Sequence, residues 1–218
     1  MGSAAIKMEN RRYSPEEFLD VYPTLEGRYE LHNGEIVEWY MMAGGSEPHS
    51  LIAMNLGASI NTSLRGKPCR VYGSDLLVRI ANKSSYRHPD LSIVCGETEF
   101  DHVDKGRRMA VSNPRVVFEI MSDSSEKLDR GEKFEEYRDI DPLMEYVLVS
   151  QHKPMIEAFR RNEDGTWGIL AIVIGLDAAL RLTSVGLDIK LSDIYAGVTF
   201  PAAPEKPNGT DGQTAQEK

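Results

Sequence analysis

The strongest constraint on this chain is a single carboxylate inside a run that otherwise reads as a fully buried strand. In Val116-Val117-Phe118-Glu119-Ile120-Met121, five apolar residues surround one glutamate. Strand alternation puts Glu119 on the face shared by Val117 and Met121. A carboxylate buried there costs several kcal/mol unless a cation, a hydrogen bond or a proton compensates it. Pro89-Asp90-Leu91-Ser92-Ile93-Val94 repeats the anomaly, with Asp90 at a strand start where Pro89 need not donate to the ladder. If the two strands are neighbours, Asp90 and Glu119 converge and repel, and a hard divalent ion such as Mg²⁺ is the natural resident between them. Taken singly, each also reads as an ordinary residue: Glu119 as an edge-strand or salt-bridge partner, Asp90 as a strand-start acid.

The surrounding pattern is that of a mixed α/β (α+β) chain. Ser14-Pro15-Glu16-Glu17 starts a helix, with Ser14 as cap and Glu17 closing a capping box. Asn33-Gly34 between two strand-like runs marks a hairpin. Ile52, Leu56 and Ile60 predict a helix over 49–64. Strands are expected at 69–80 (bulged at Gly73), 90–95, 115–121 and 145–150, with a charged helix across 124–140. A second hairpin joins 155–160 to 167–174 through Glu163-Asp164-Gly165, and Ser192 is placed to cap a last short helix. The expected domain covers 14–199, with a flexible N-terminus at 1–13 and a disordered, Pro- and Gly-containing tail at 200–218.

Three more side chains enter from the charged helix: Asp129, Lys133 and Tyr137 are four apart and share one helical face, a pattern equally typical of a solvated surface. Glu30, in the first hairpin, and His49, at the start of the long helix, complete the candidates.

In this order the stretches Gly27-Arg28-Tyr29-Glu30-Leu31, Asn33-Gly34-Glu35-Ile36-Val37, Pro48-His49, Arg87-His88-Pro89-Asp90, Val116 to Ser122, Asp129-x-x-x-Lys133-x-x-x-Tyr137 and Glu145 to Val149 resemble the Uma-two family of restriction endonucleases, within the PD-(D/E)XK nuclease superfamily. The resemblance implies a restriction-endonuclease-like mixed sheet flanked by helices, with an αβββαβ core and added hairpins. It implies a metal-dependent endonuclease acting on nucleic acid, expected to be DNA, with Asp90 and Glu119 holding Mg²⁺ (Mn²⁺ as a substitute). Asp90, Glu119, Lys133 and Glu30 would be catalytic, and His49, Arg87 and Tyr137 would support the metal ligands or contact phosphate. One departure matters: the superfamily lysine would stand at Met121, and the resemblance implies that Lys133 replaces it from the following helix. The alternative is a nuclease-fold module that binds or assembles without catalysis.

Charge neither requires nor forbids such a substrate. The chain carries a formal net charge of −9, which excludes a histone-like polyanion binder. That average conceals two basic stretches: 65–88 has six basic residues against Asp75 alone, and 105–118 has four and no acid. Both precede the carboxylate strands, as phosphate-contacting segments would. No apolar run approaches the about 20 residues of a membrane span. Cys69 and Cys95 are expected as free thiols in a reducing cytoplasm. The apolar run Ile169 to Ile174 suggests a homodimer interface.

Overall fold

The computed structural model describes residues 11–38, 46–80, 84–101, 108–123 and 125–200. Most of both expected flexible ends, residues 1–10 and 201–218, lies outside these. Tyr13 is tied in, its N–H donating to Gly34 O at 2.7 Å.

The first helix, α1 (Pro15–Val21), begins with the reciprocal bonds of a capping box between Ser14 and Glu17. Strands β1 (Tyr29–His32) and β2 (Glu35–Glu38) turn at Asn33 and Gly34, whose φ values of 48° and 87° are what a two-residue hairpin loop needs. Helix α2 (Glu47–Ser63) starts two residues earlier than its periodicity suggests, because Ser46 caps it by accepting from the His49 N–H. Then come β3 (Cys69–Gly73), β4 (Leu77–Ile80), β5 (Ser85–Arg87), β6 (Leu91–Cys95), β7 (Phe100–Asp101), β8 (Ala110–Val111) and β9 (Val116–Met121). Helices α3 (Glu126–Arg130) and α4 (Glu132–Tyr137) lead to β10 (Glu145–Ser150), β11 (Met155–Arg161), β12 (Trp167–Ile174), β13 (Ala179–Leu182), β14 (Leu187–Lys190) and α5 (Leu191–Ile194).

The central sheet has the order β12-β11-β10-β9-β6-β3. β3, β6 and β9 are antiparallel neighbours, and β10 returns parallel to β9 after α3 and α4. This is the expected mixed sheet with flanking helices. A second sheet, β2-β1-β5-β4-β8-β7, packs under α1, and β13–β14 form a ribbon.

Alternation along β9 sorts its side chains as expected. Val116, Phe118 and Ile120 join the core under α2, whereas Val117 and Met121 join the opposite core with Tyr137, Tyr146 and Leu148. Glu119 therefore enters the second face, beside the helices that follow.

Several expectations need correction. The single strand across 69–80 is two strands in different sheets, split by the turn after Gly73. The long helix across 124–140 is two short ones broken at Gly131, where an added Cβ would lie 3.1 Å from Lys127 O. Ser192 does not cap α5; Lys190 occupies that position without a side-chain bond. Cys69 and Cys95 are not free thiols but form a disulfide. The antiparallel β3–β6 register sets them directly opposite each other, with Cα atoms 3.9 Å apart, a juxtaposition invisible in two separate strand-like runs.

Candidate active site

Asp90 stands one residue before β6, next to the paired Leu91 and Phe118, so the register continues it toward Glu119. Asp90 Oδ2 accepts the Ile120 N–H at 2.6 Å, which pins the carboxylate to the edge of β9. Its other oxygen lies 3.3 Å from His49 Nε2, at the start of α2. Burial opposes a charge on this imidazole, but bonding to Asp90 outweighs it and holds His49 above the ordinary histidine value.

Glu119 is 2 % exposed. Its Oε1 accepts from Tyr137 O–H at 3.1 Å and its Oε2 lies 3.3 Å from Lys133 Nζ. Lys133 is closer to Asp129, at 2.9 Å. The spacing of four that puts Asp129, Lys133 and Tyr137 on one face thus survives the break at Gly131. That face points inward: Asp129, Lys133 and Tyr137 are all buried. Asp129 was legible as a member of this stripe, yet only its contact with Lys133 marks it as part of the site.

The electrostatics follow from the count of charges. One ammonium serves Glu119 and Asp129, with Asp90 also within electrostatic reach. Burial works against the Lys133 cation, but Glu119 and Asp129 more than offset it, so the amine stays protonated well beyond neutral pH. Glu119 is the surplus acid. Burial first, then Asp129 and Asp90, push its carboxyl well above the usual range, against the pull of Lys133. A buried acid whose carboxyl is pushed up for want of a cation fits a divalent ion with oxygen ligands. Asp90 and Glu119 are the residues able to hold one.

Glu30 and Arg87 are placed differently. Glu30 Oε2 meets Arg87 Nη1 at 2.7 Å, and its Oε1 accepts the His88 N–H at 2.8 Å. Both Glu30 oxygens are thereby engaged, and Glu30 influences Glu119 through its field alone. Arg87 also meets Glu136 at 2.6 Å and Glu132 at 3.1 Å. It is 3 % exposed and held among carboxylates, so it is not presented to a phosphate. The Glu30–Arg87–His88 bonds instead anchor the strand that delivers Asp90. His88 Nδ1 must donate to Ser74 O, at 2.7 Å, which leaves Nε2 to accept from Tyr22 O–H at 2.9 Å. The roles of Glu132, Glu136 and His32 had no signal in the sequence, and His88 was marked only by its place in the Arg87-His88-Pro89-Asp90 stretch.

Apart from Arg87, the basic residues of these stretches that have assigned partners or surroundings, among the described residues, are not bonded to Asp90 or Glu119. Arg79 is bonded to Asp101 at 3.0 Å. Lys67 and Arg115 line a concavity of about 620 Å³ beside the disulfide, and Arg70 and Arg108 line another of about 380 Å³. Both lie toward the Cys95 end of β6, about 15 Å of strand away from Asp90.

Residues 15–191 match the Uma2 family, described as "Putative restriction endonuclease". "Uncharacterized protein slr1290" of Synechocystis sp. is 34% identical over 191 residues, covering 87% of this chain and 94% of that protein. "Uncharacterized protein sll1609" of the same organism is 28% identical over 167 residues, covering 77% and 90%. The crystal structure of a "putative nuclease belonging to DUF820" from Anabaena variabilis aligns with TM-score 0.64 at 15% identity, over 84% of this chain and 97% of that one. At that identity the likeness concerns the fold.

Proposed function

The chain belongs to the Uma2 family of restriction-endonuclease-like proteins, and from that premise we propose that it is a divalent-metal-dependent endonuclease that hydrolyses phosphodiester bonds, with DNA as substrate. The observation that carries this reading is the buried set Asp90, Glu119 and Lys133, with Lys133 delivered from α4 to Glu119 at 3.3 Å in place of the lysine absent at Met121.

Asp90 and Glu119 would hold Mg²⁺, or Mn²⁺ in its place. When bound, that ion supplies a Lewis acid for the scissile phosphate and an acidified water. The remaining roles fall to this chain's own side chains. A permanently charged Lys133 is a poor general base and a good partner for the negative charge that builds on the phosphate in the transition state. Tyr137 and Asp129 orient Glu119 and Lys133. His49, partly exposed beside Asp90, is placed to contact a phosphate or move a proton at the open side of the site. Glu30 and Arg87 act by positioning Asp90.

Substrate binding through phosphates would be local and salt-sensitive. The homodimer belongs to the same proposal: β12 is an edge strand of the central sheet, and its Ile169, Ile172 and Ile174 are exposed. Among the described residues no helix is long and apolar enough to cross a membrane. A cytoplasmic location is also proposed, although the Cys69–Cys95 bond weighs against it, because disulfides are rare in a reducing compartment.

The test is cleavage of supercoiled plasmid, single-stranded DNA and RNA with Mg²⁺ or Mn²⁺. Wild type should nick DNA and Asp90→Ala should not. Absence of cleavage on every substrate, or equal cleavage by Asp90→Ala, overturns the enzyme reading and leaves a non-catalytic binding module.

A further inference from the structure

We propose that His32, Glu132 and Glu136 form a second metal site, for a zinc-class divalent transition ion, that clamps β1 to α4. It is separate from the Asp90–Glu119 pair and does not depend on the nuclease reading.

His32 Nε2 lies 3.0 Å from Glu132 Oε1 and 3.1 Å from Glu136 Oε1. One ligand atom from each of the three residues falls within 4.8 Å of the others. Ligands bound at about 2.0–2.2 Å in tetrahedral or octahedral geometry sit about 3–3.5 Å from their nearest neighbours, so the two separations from His32 are those of chelating neighbours. The second observation is Glu136 Oε1 itself. Glu136 is 3 % exposed, and this oxygen is buried without a hydrogen-bond donor while facing the imidazole nitrogen. Nitrogen and two carboxylates therefore converge on one point, as the ligands of a single ion would.

Charge supports the same occupant. Glu30, Glu132 and Glu136 gather around the single Arg87 guanidinium, so the carboxylates outnumber that cation by two. A divalent ion offsets that excess. Arg87 does not displace it, because it grips Glu136 by the other oxygen, Oε2, at 2.6 Å. It approaches Glu132 Oε1 at 3.1 Å and so orients both carboxylates from outside the set. An imidazole with two carboxylates favours a transition ion over Mg²⁺ or Ca²⁺, which prefer oxygen alone. The Glu132 side chain is 48 % exposed, leaving room for water as a further ligand.

The clamp has a use. α4 has six residues, too few to be stable alone, yet it carries Lys133 and Tyr137 to Glu119. An ion tying Glu132 and Glu136 to β1 would hold that helix in register.

The experiment uses the full chain stripped with chelator and titrated with Zn²⁺ by calorimetry and with Co²⁺ by visible absorption. Wild type should bind an equivalent that survives in Asp90→Asn. His32→Ala and the surface variant Glu132→Gln should each weaken that binding about tenfold or more while remaining folded by circular dichroism. With the other proposed site disabled, chelation should lower the melting temperature of Asp90→Asn and leave that of Asp90→Asn/His32→Ala unchanged. No Zn²⁺ or Co²⁺ binding by wild type, undiminished binding by His32→Ala, or loss of binding in Asp90→Asn alone would each overturn the proposal. Nuclease activity enters none of these readouts, so failure here and failure of the enzyme reading are separable.

Discussion

Two groups of buried charges lie side by side, one around Arg87 and one around Lys133, and they are built on different cations. Arg87 reaches three carboxylates at 2.6, 2.7 and 3.1 Å through separate nitrogens of a rigid fork, and Glu30 is further fixed by the His88 N–H. Lys133 offers one nitrogen to two carboxylates, at 2.9 and 3.3 Å. A guanidinium satisfies planar acids in fixed directions, whereas an ammonium is a point charge that can be shared and redistributed. The Arg87 group therefore builds: it joins β1, β5 and α4 and sets the approach to Asp90. Both groups hold more acids than cations, but in the Lys133 group the excess falls on Glu119, buried beside Asp90 with a single shared ammonium in reach.

The sharpest way to break this contrast is Arg87→Ala. It strands Glu30 and Glu136 without their shared cation, which should cost about 3–5 kcal/mol of stability, read from the shift of the denaturant midpoint. Lys133→Gln should cost less, because burial already pushes the Glu119 carboxyl up and so eases its neutralisation when the ammonium is lost. Equal or greater destabilisation by Lys133→Gln would dissolve the distinction between a building group and a reactive one.

Activity should reverse the ranking. Lys133→Gln is expected to lower single-turnover DNA cleavage by about 10²–10³-fold, the usual cost of removing one transition-state charge partner. Its pH profile should show no basic limb that disappears with the lysine, since the wild-type amine stays charged. Cleavage within a few fold of wild type would remove Lys133 from the chemistry.

The smallest effect concerns acidification near the building group. Burial holds His88 below histidine's ordinary 6.5. The unfolded chain then binds the extra proton first, so His88 contributes stability above about pH 6.5 that is lost as pH falls through its folded value. Between about pH 7.5 and about pH 5.5, wild type should lose more stability than His88→Asn. His49, shifted the other way by Asp90, is common to both proteins and cancels in the difference. An NMR titration placing His88 above 6.5 would reverse the sign.

What was legible beforehand divides along chain separation. The side of β9 taken by Glu119, the Ser14 cap, the Asn33-Gly34 turn and the stripe Asp129-Lys133-Tyr137 are all relations between residues a few positions apart, where strand and helix periods dictate geometry. Gly131 broke the helix without moving the stripe off its face. The errors involve distant segments. Cys69 meets Cys95 only through the β3–β6 register, and the split of 69–80 depends on which sheet each half joins. Arg87 was expected to support the metal ligands or contact phosphate, and which acids surround it, Glu30, Glu132 and Glu136, is set by segments distant in the chain.

The sequence by itself determined that this chain is a mixed α/β protein with carboxylates in its strands, because burial patterns and turn chemistry are local, and its ordered motifs carry the likeness to the Uma2 family. Tertiary structure alone decided which cation each carboxylate meets. A charge inside a protein takes its meaning from partners at about 3 Å, and here those partners come from β1, β5, α2 and α4, elements that are far apart along the chain.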